Sequence, residues 1–248
     1  MTSSLGIVFI VYNQTKLLGS ALNQLSGLKH ELHVADLGST EDVGSVAKTC
    51  GATYHRLSYT SVVETVRSQV FDLIKTDYIL YLDGDESVTP SLINKLAELA
   101  DGGVDYVKIP RQNYIFNSWV QASRWWPDYQ VRFFKKGMVT FPTTLHSEPV
   151  ATGHEVVLPA TPDLSIKHLN YQNLDEWLQK NQRYARADAQ DRINSGEEFS
   201  ILTACRLSVS ELVSRFFAGS GYADGMHGLV LSILQSFYYF LVYAYYWE

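Results

Sequence analysis

Residues 78–87 read YILYLDGDES: five apolar residues, Tyr78 to Leu82, run straight into Asp83, Asp85 and Glu86. A continuous apolar run of this length is the pattern of a strand covered on both faces. Its end in clustered carboxylates raises the question of what relieves them, since like charges side by side are costly without a cation or solvent. Gly84 lets a ligand approach the backbone closely. In extended chain Asp83 and Asp85 project to the same side, and oxygen donors of this kind suit Mg2+ or Mn2+. A divalent ion bridging them to a diphosphate would neutralise both. The competing reading is a solvated turn that leads into a helix at Thr89-Pro90.

The segments before this strand alternate between two periods. Residues 7–11 (IVFIV) form a continuous β-branched run, followed by Tyr12-Asn13-Gln14 and the helical pattern KLLGSALNQLSGL. Residues 30–35 predict a second strand ending at Asp36, with loop chemistry over 37–42 and a helix over 43–50. A short strand over 53–56 and a helix over 61–75 lead into the acidic strand. Strands alternating with helices predict an α/β fold, a mostly parallel sheet with helices on both faces. Ligands of such sheets bind outside the carboxyl ends of the strands. That rule gathers Asn13, Asp36 and the Asp83-Gly84-Asp85 turn in one place.

Composition removes other classes. Forty-six per cent hydrophobic and 19% charged residues are ordinary for a folded chain. A net charge of -6 argues against nucleic acid as partner, which wants a basic face. Two cysteines, Cys50 and Cys205, suggest neither a disulfide framework nor a zinc site, and a reducing cytoplasm is the expected compartment. The opening MTSSLGIVFIVYNQ lacks a basic region and reads as a first strand rather than a signal peptide. No P-loop or dinucleotide fingerprint is present. A calcium loop counted from Asp83 would meet Val88 and Asn94 where Gly and Glu are needed.

Beyond residue 105 the pattern loosens. Residues 107–110 and 130–134 read as strands around the aromatic stretch NYIFNSWVQASRWWPDY, and residues 173–193 as a charged helix. Residues 228–247, GLVLSILQSFYYFLVYAYYW, are about as long as a membrane span needs. Ser232, Gln235, Ser236, Tyr239, Tyr243 and Tyr246 nevertheless recur as a mildly polar stripe. This leaves three readings: a membrane-surface helix, a helix packed on the protein or a second subunit, and a true span.

The ordered set VYN, DLGSTED, a helix with Arg67, LDGDE, RFFKKGMVTF, a His/Glu pair and IKH resembles family 2 glycosyltransferases of the GT-A fold. Within that family the chain is similar to bacterial enzymes that add sugars to lipopolysaccharide core or related surface glycans. The resemblance implies a nucleotide-sugar-binding half over residues 1–104, an acceptor-binding half over 105–170, and a helical region over 171–248. It implies an inverting transfer from a nucleoside-diphosphate donor, a UDP-sugar, to a hydroxyl of a glycan or lipid-linked acceptor. Mn2+ or Mg2+ would be the cofactor. Asp36 would meet the donor base, with Tyr12 and Asn13 near the nucleotide and Arg67 near the phosphates or the acidic motif. Asp83 would face ribose and metal, Asp85 would ligate the metal directly, and His168 would complete its shell. Glu148 would be the catalytic base, with Asp128 in reserve and His146 orienting acceptor or diphosphate. Lys180 and Arg183 could meet phosphate, and Trp119, Trp125 and Trp126 could stack on sugars. The tail would place the protein peripherally at the cytoplasmic face of the inner membrane. A polyprenyl-phosphate sugar transferase and a non-catalytic sugar-nucleotide or glycan-binding protein are the alternatives.

Overall fold

A computed structural model describes residues 3–60, 63–142 and 149–248. They form two compact units: Met1–Arg111 with Tyr129–His168, and Gln112–Asp128 with Leu169–Glu248. In chain order the elements are β1 (Leu5–Val11), α1 (Thr15–Leu25), β2 (Glu31–Asp36), α2 (Val43–Thr49), β3 (Thr53–Arg56), α3 (Arg67–Leu73), β4 (Tyr78–Asp83), β5 (Glu86–Ser87) and α4 (Pro90–Asp101). There follow β6 (Tyr106–Ile115), β7 (Ser118–Trp119), β8 (Asp128–Lys135), β9 (Val139–Thr140), β10 (Val150–Ala151), β11 (Glu155–Val157) and β12 (Ile166–Tyr171). Three long helices close the chain: α5 (Leu174–Asn194), α6 (Ile201–Val213) and α7 (Gly225–Trp247).

The main sheet runs β3-β2-β1-β4-β8-β6-β12-β5. β1 lies parallel to both β2 and β4, while β8 pairs antiparallel with β4. All seven β1 residues are buried, as are the first five of β4. Two apolar clusters explain this, one on each face of the sheet. Phe9, Leu22, Leu80 and Leu96 belong to the first; Val8, Phe71, Tyr81 and Phe134 belong to the second. Alternate strand residues therefore both find cover, which is why these strands read as unbroken apolar runs.

The helix expected over 61–75 is shorter than its pattern. A single 3-10 turn, Val63–Thr65, precedes α3, which begins at Arg67. Val63, Thr65 and Val66 are β-branched and lose side-chain freedom in a helix. In the second unit, Trp177, Ala185, Tyr238 and Val242 form the core of the α5 and α7 packing.

Candidate active site

Strand register in the first unit brings the carboxyl ends together. Val11 is opposite Asp36 across β1–β2, and Ile10 is opposite Asp83 across β1–β4. The β1–α1 turn then places Asn13 and Gln14 in left-handed conformation, with φ of 59° and 67°. Asn is among the residues that tolerate this region. The Asn13 amide nitrogen donates to Ser39 Oγ at 2.6 Å, and its Oδ1 accepts from the amides of Thr40 (2.9 Å) and Glu41 (3.2 Å). Asn13 thus pins the loop after β2. Tyr12, exposed, leans on Tyr59, itself exposed, with ring centroids 4.9 Å apart.

Asp36 is almost wholly buried, at 1% exposure. Its Oδ1 accepts from the Ser39 amide at 2.8 Å and its Oδ2 from the Tyr54 hydroxyl at 2.6 Å. Burial alone would raise its pKa, but the hydrogen bonds from Ser39 and Tyr54, with the charge of Arg56, hold it below the usual carboxylate range. One oxygen serves the loop after β2 and the other serves Tyr54 on β3.

The acidic motif does not continue as extended chain. β4 ends at Asp83, Gly84 and Asp85 make a turn, and β5 starts at Glu86. A Cβ on Gly84 would lie 2.4 Å from Gln14 Oε1 and 3.0 Å from Val11 Cγ1, so the close approach here is made by the chain's own β1–α1 turn. The two aspartates meet different partners. Asp83 Oδ2 accepts from Arg132 Nη2 at 2.6 Å, whereas Asp85 Oδ2 lies 3.7 Å from His168 Nε2. The second approach follows from β12 pairing antiparallel with β5, which sets His168 opposite Glu86.

Arginine relieves the charge of Asp83 and Glu86. Glu86, 1% exposed, accepts from Arg132 Nη2 at 2.9 Å and Arg111 Nη1 at 3.2 Å, and its Oε2 accepts from the Asp83 amide at 3.0 Å. The Arg132 guanidinium also lies over the Tyr81 ring, 4.4 Å from its centroid. Desolvation pushes the Asp83 carboxyl up, but Arg132, then Arg67 and His168, outweigh it and hold the group below its ordinary value. The opposing carboxylates raise the Arg132 pKa against its own burial. Arg67 shares the Tyr81 ring at 5.5 Å and pairs with Glu64 at 3.5 Å.

Among the described residues no three His, Cys, Asp or Glu side chains converge as a closed site. Asp85 and His168, a carboxylate and an imidazole 3.7 Å apart, are of the donor types that could hold one divalent ion. Asp83 has one oxygen committed to Arg132. Glu148 and His146 lie outside the described residues.

In the second unit, Asp128 Oδ2 accepts from Asn113 Nδ2 at 3.0 Å. Trp119 and Trp126 pack edge to face at 5.1 Å, and Trp125 lies 5.5 Å from the Arg215 guanidinium. Lys180 donates to the Asn170 carbonyl at 3.0 Å and pairs with Glu176 at 3.1 Å, while Arg183 stacks on Tyr184. Those contacts give Lys180 and Arg183 partners within their own unit.

Sequence reasoning gave no role to Arg132, Arg111, Tyr54 or Gln14, although Arg132 opens the RFFKKGMVTF motif and Gln14 follows Asn13. The available signal for Arg132 was a charged residue inside an apolar strand, QVRFF, where burial forces a partner.

Comparison with known proteins agrees with this architecture. An uncharacterized glycosyltransferase of Rickettsia typhi is 24% identical over 245 residues, covering 94% of this chain and 82% of that protein. One from Rickettsia conorii is 22% identical over 254 residues, covering 97% and 89%. Among solved structures, the mannosyltransferase PcManGT of Pyrobaculum calidifontis, in complex with GDP-Man and Mn2+, aligns with a TM-score of 0.58 at 12% identity, covering all of this chain and 88% of its own. TarS of S. aureus (residues 1–349) aligns at 0.52, also 12% identical, covering 98% and 91%. These likenesses match the GT-A fold: a mostly parallel sheet between helices, carrying an acidic turn at its carboxyl edge. The family model for glycosyl transferase family 2 matches residues 7–155, more than half of the protein, and the chain belongs to that family.

Proposed function

We propose that this family 2 glycosyltransferase is metal-dependent and inverting, moving a sugar from a nucleoside diphosphate donor, UDP in our assignment, to a hydroxyl of a glycan or lipid-linked acceptor. Bacterial lipopolysaccharide or surface-glycan synthesis is the setting we assign. The observation that carries the reading is the approach of Asp85 to His168 beside an ionised Asp83, at the carboxyl edge of the sheet. The Pyrobaculum calidifontis mannosyltransferase, described with GDP-Man and Mn2+, supports the class of donor and ion.

Each residue has a role in this proposal. Asp85 and His168 would hold the divalent ion, and Asp83 would serve ribose and ion. Mn2+ or Mg2+ bound there supplies Lewis-acid stabilisation of charge on the departing diphosphate. Arg67 lends a fixed cation to the same charge. Tyr12, with Tyr59, offers a ring surface to the base, while Asn13 and Asp36 shape the loop that borders it. Glu148 takes the acceptor hydroxyl proton as that oxygen bonds to the anomeric carbon. The bond from that carbon to the diphosphate oxygen breaks, and the nucleoside diphosphate leaves with the electron pair.

Titration calorimetry with UDP, beside GDP, in Mn2+ and then in EDTA tests the centre of this reading. UDP binding that requires metal and disappears in Asp85→Ala is the expected result. Binding of neither nucleotide under any metal condition would overturn it.

A further inference from the structure

The outward side of α7 carries a regular apolar stripe. Met226, Ile233, Phe240 and Trp247 follow one another at intervals of seven residues, and their exposures run from 50% to 76%. Leu229 and Phe237, three and four residues beyond Met226 and Ile233, are exposed beside them. This is the heptad spacing with which one helix presents a seam to another. The buried side of α7, with Tyr238 and Val242, packs with Trp177 and Ala185 of α5, so α5 covers the back of the helix and leaves the stripe open.

α6 continues the same face. Leu202 and Val209, again seven residues apart, are 79% and 61% exposed. Ser236 Oγ of α7 donates to the Ser208 carbonyl of α6 at 2.7 Å, and Phe240 shares an apolar groove with Ala204. Rising numbers on one helix therefore meet falling numbers on the other. The two run antiparallel, with Arg206 at the level of residue 238. The groove, of about 400 Å³, is lined by Phe199, Ile201, Ala204, Phe240, Ala244 and Trp247.

Two antiparallel helices with exposed seams are half of a four-helix bundle. A stable complex covers about 800 Å² on each partner, and an aromatic side chain can bury about 150–250 Å². Phe237, Phe240 and Trp247, with the aliphatic residues of the two stripes, reach that scale.

Charge fits a copy of the same chain. From Glu198 to Glu248 the exposed charged residues are those two acids and Arg206. Arg206 stands in the α6 stripe between Leu202 and Val209, while the acids adjoin the groove residues Phe199 and Trp247. A lipid surface favours a basic border; this face has two acids to one cation. A two-fold axis through the middle of the groove, near residue 243, lays α7 antiparallel on its counterpart and brings the partner's Glu248 level with Arg206. The partner's Glu198 arrives within about a turn of the same level. Each such pair forms twice, because the interface is isologous.

We propose that α6 and α7 form a docking face for a second copy of this chain, closing as a four-helix bundle with Arg206 paired to the partner's Glu198 and Glu248 across the two-fold axis. Sedimentation equilibrium of the full chain over a range of concentrations, without nucleotide, is expected to fit a reversible dimer of the 28.0 kDa chain. Phe240→Asp should raise the dissociation constant about thirtyfold or more. Arg206→Glu should raise it about tenfold, as should Glu198→Arg combined with Glu248→Arg. All three reversals in one chain should restore most of the affinity, which a merely structural defect at Arg206 would not allow. These positions are exposed, so circular dichroism and melting should be unchanged in every variant. An undisturbed dimer in Phe240→Asp, or a triple reversal no tighter than Arg206→Glu alone, would overturn the proposal. So would the mass of one chain at every concentration, and flotation of that monomer with vesicles of phosphatidylcholine and phosphatidylglycerol would then assign the face to lipid.

Discussion

Arg132 Nη2 sits 2.6 Å from Asp83 Oδ2 and 2.9 Å from Glu86 Oε1, so a single buried guanidinium nitrogen joins the first aspartate of the acidic turn to the glutamate that follows it. Arg132 and Glu86 are nearly inaccessible, with side-chain exposures of 4% and 0%. Removing one member of a buried ionic cluster leaves its partners uncompensated. Arg132→Met should therefore lower unfolding free energy by about 3–5 kcal/mol in urea titrations followed by circular dichroism. Arg132→Lys should recover part of the loss, since an ammonium cannot reproduce the planar fork. Equal stability of the parent and Arg132→Met would show that the cluster contributes nothing net.

The pH dependence of that difference has a definite sign. The folded-state Asp83 carboxyl is held below its unfolded value by Arg132, Arg67 and His168, against its desolvation. Stability from a depressed carboxyl is fully present above the unfolded pKa, about 4, and is lost as pH falls through the folded value. The stability gap between parent and Arg132→Met should narrow as pH falls, because the buried carboxyl of the variant, without Arg132, takes up its proton at higher pH than that of the parent. A gap that widens on acidification would contradict the assignment.

Asn13 predicts a graded series. Its Oδ1 receives the Thr40 and Glu41 amides, and its backbone is left-handed. Asn13→Asp keeps an acceptor, Asn13→Gly keeps the conformation alone, and Asn13→Ala keeps neither. Stability losses should rise in that order, reaching about 2 kcal/mol for Ala, with nucleotide affinity by calorimetry following the same order.

Gly84 and Gln14 should be coupled. Gly84→Ala places a Cβ against Gln14 Oε1 and Val11 Cγ1 and should cost about 1–3 kcal/mol. Combining it with Gln14→Ala removes the nearer clash, so the double variant should be less destabilised than the sum of the singles by about 1 kcal/mol. Strict additivity in the thermal melts would mean that Gln14 simply swings aside.

Asp85 and His168 are separable by metal titration. Asp85→Ala should abolish Mn2+-dependent nucleotide binding, while His168→Ala, which leaves the carboxylate in place, should raise the Mn2+ concentration needed by about tenfold. An unchanged Mn2+ requirement in His168→Ala would remove the imidazole from the ligand set.

The alternation of apolar runs and helical periods was enough to read the parallel sheet, because β1 and β4 are buried on both faces and local sequence reports burial directly. The carboxyl-edge rule likewise brings Asn13, Asp36 and Asp83 together from sequence alone, and register agrees at Val11–Asp36 and Ile10–Asp83. Partner choice was not legible in the same way. Asp36 reads as the strand-end acid that meets the donor base but is buried with both oxygens bonded by Ser39 and Tyr54. Asp83 and Asp85 read as one pair but diverge at a turn, one toward Arg132 on β8 and the other toward His168 on β12. Side-chain periodicity is a local property, set by a few dihedrals per residue. Which cation meets which carboxylate depends on strands distant in sequence, and only tertiary register decides it.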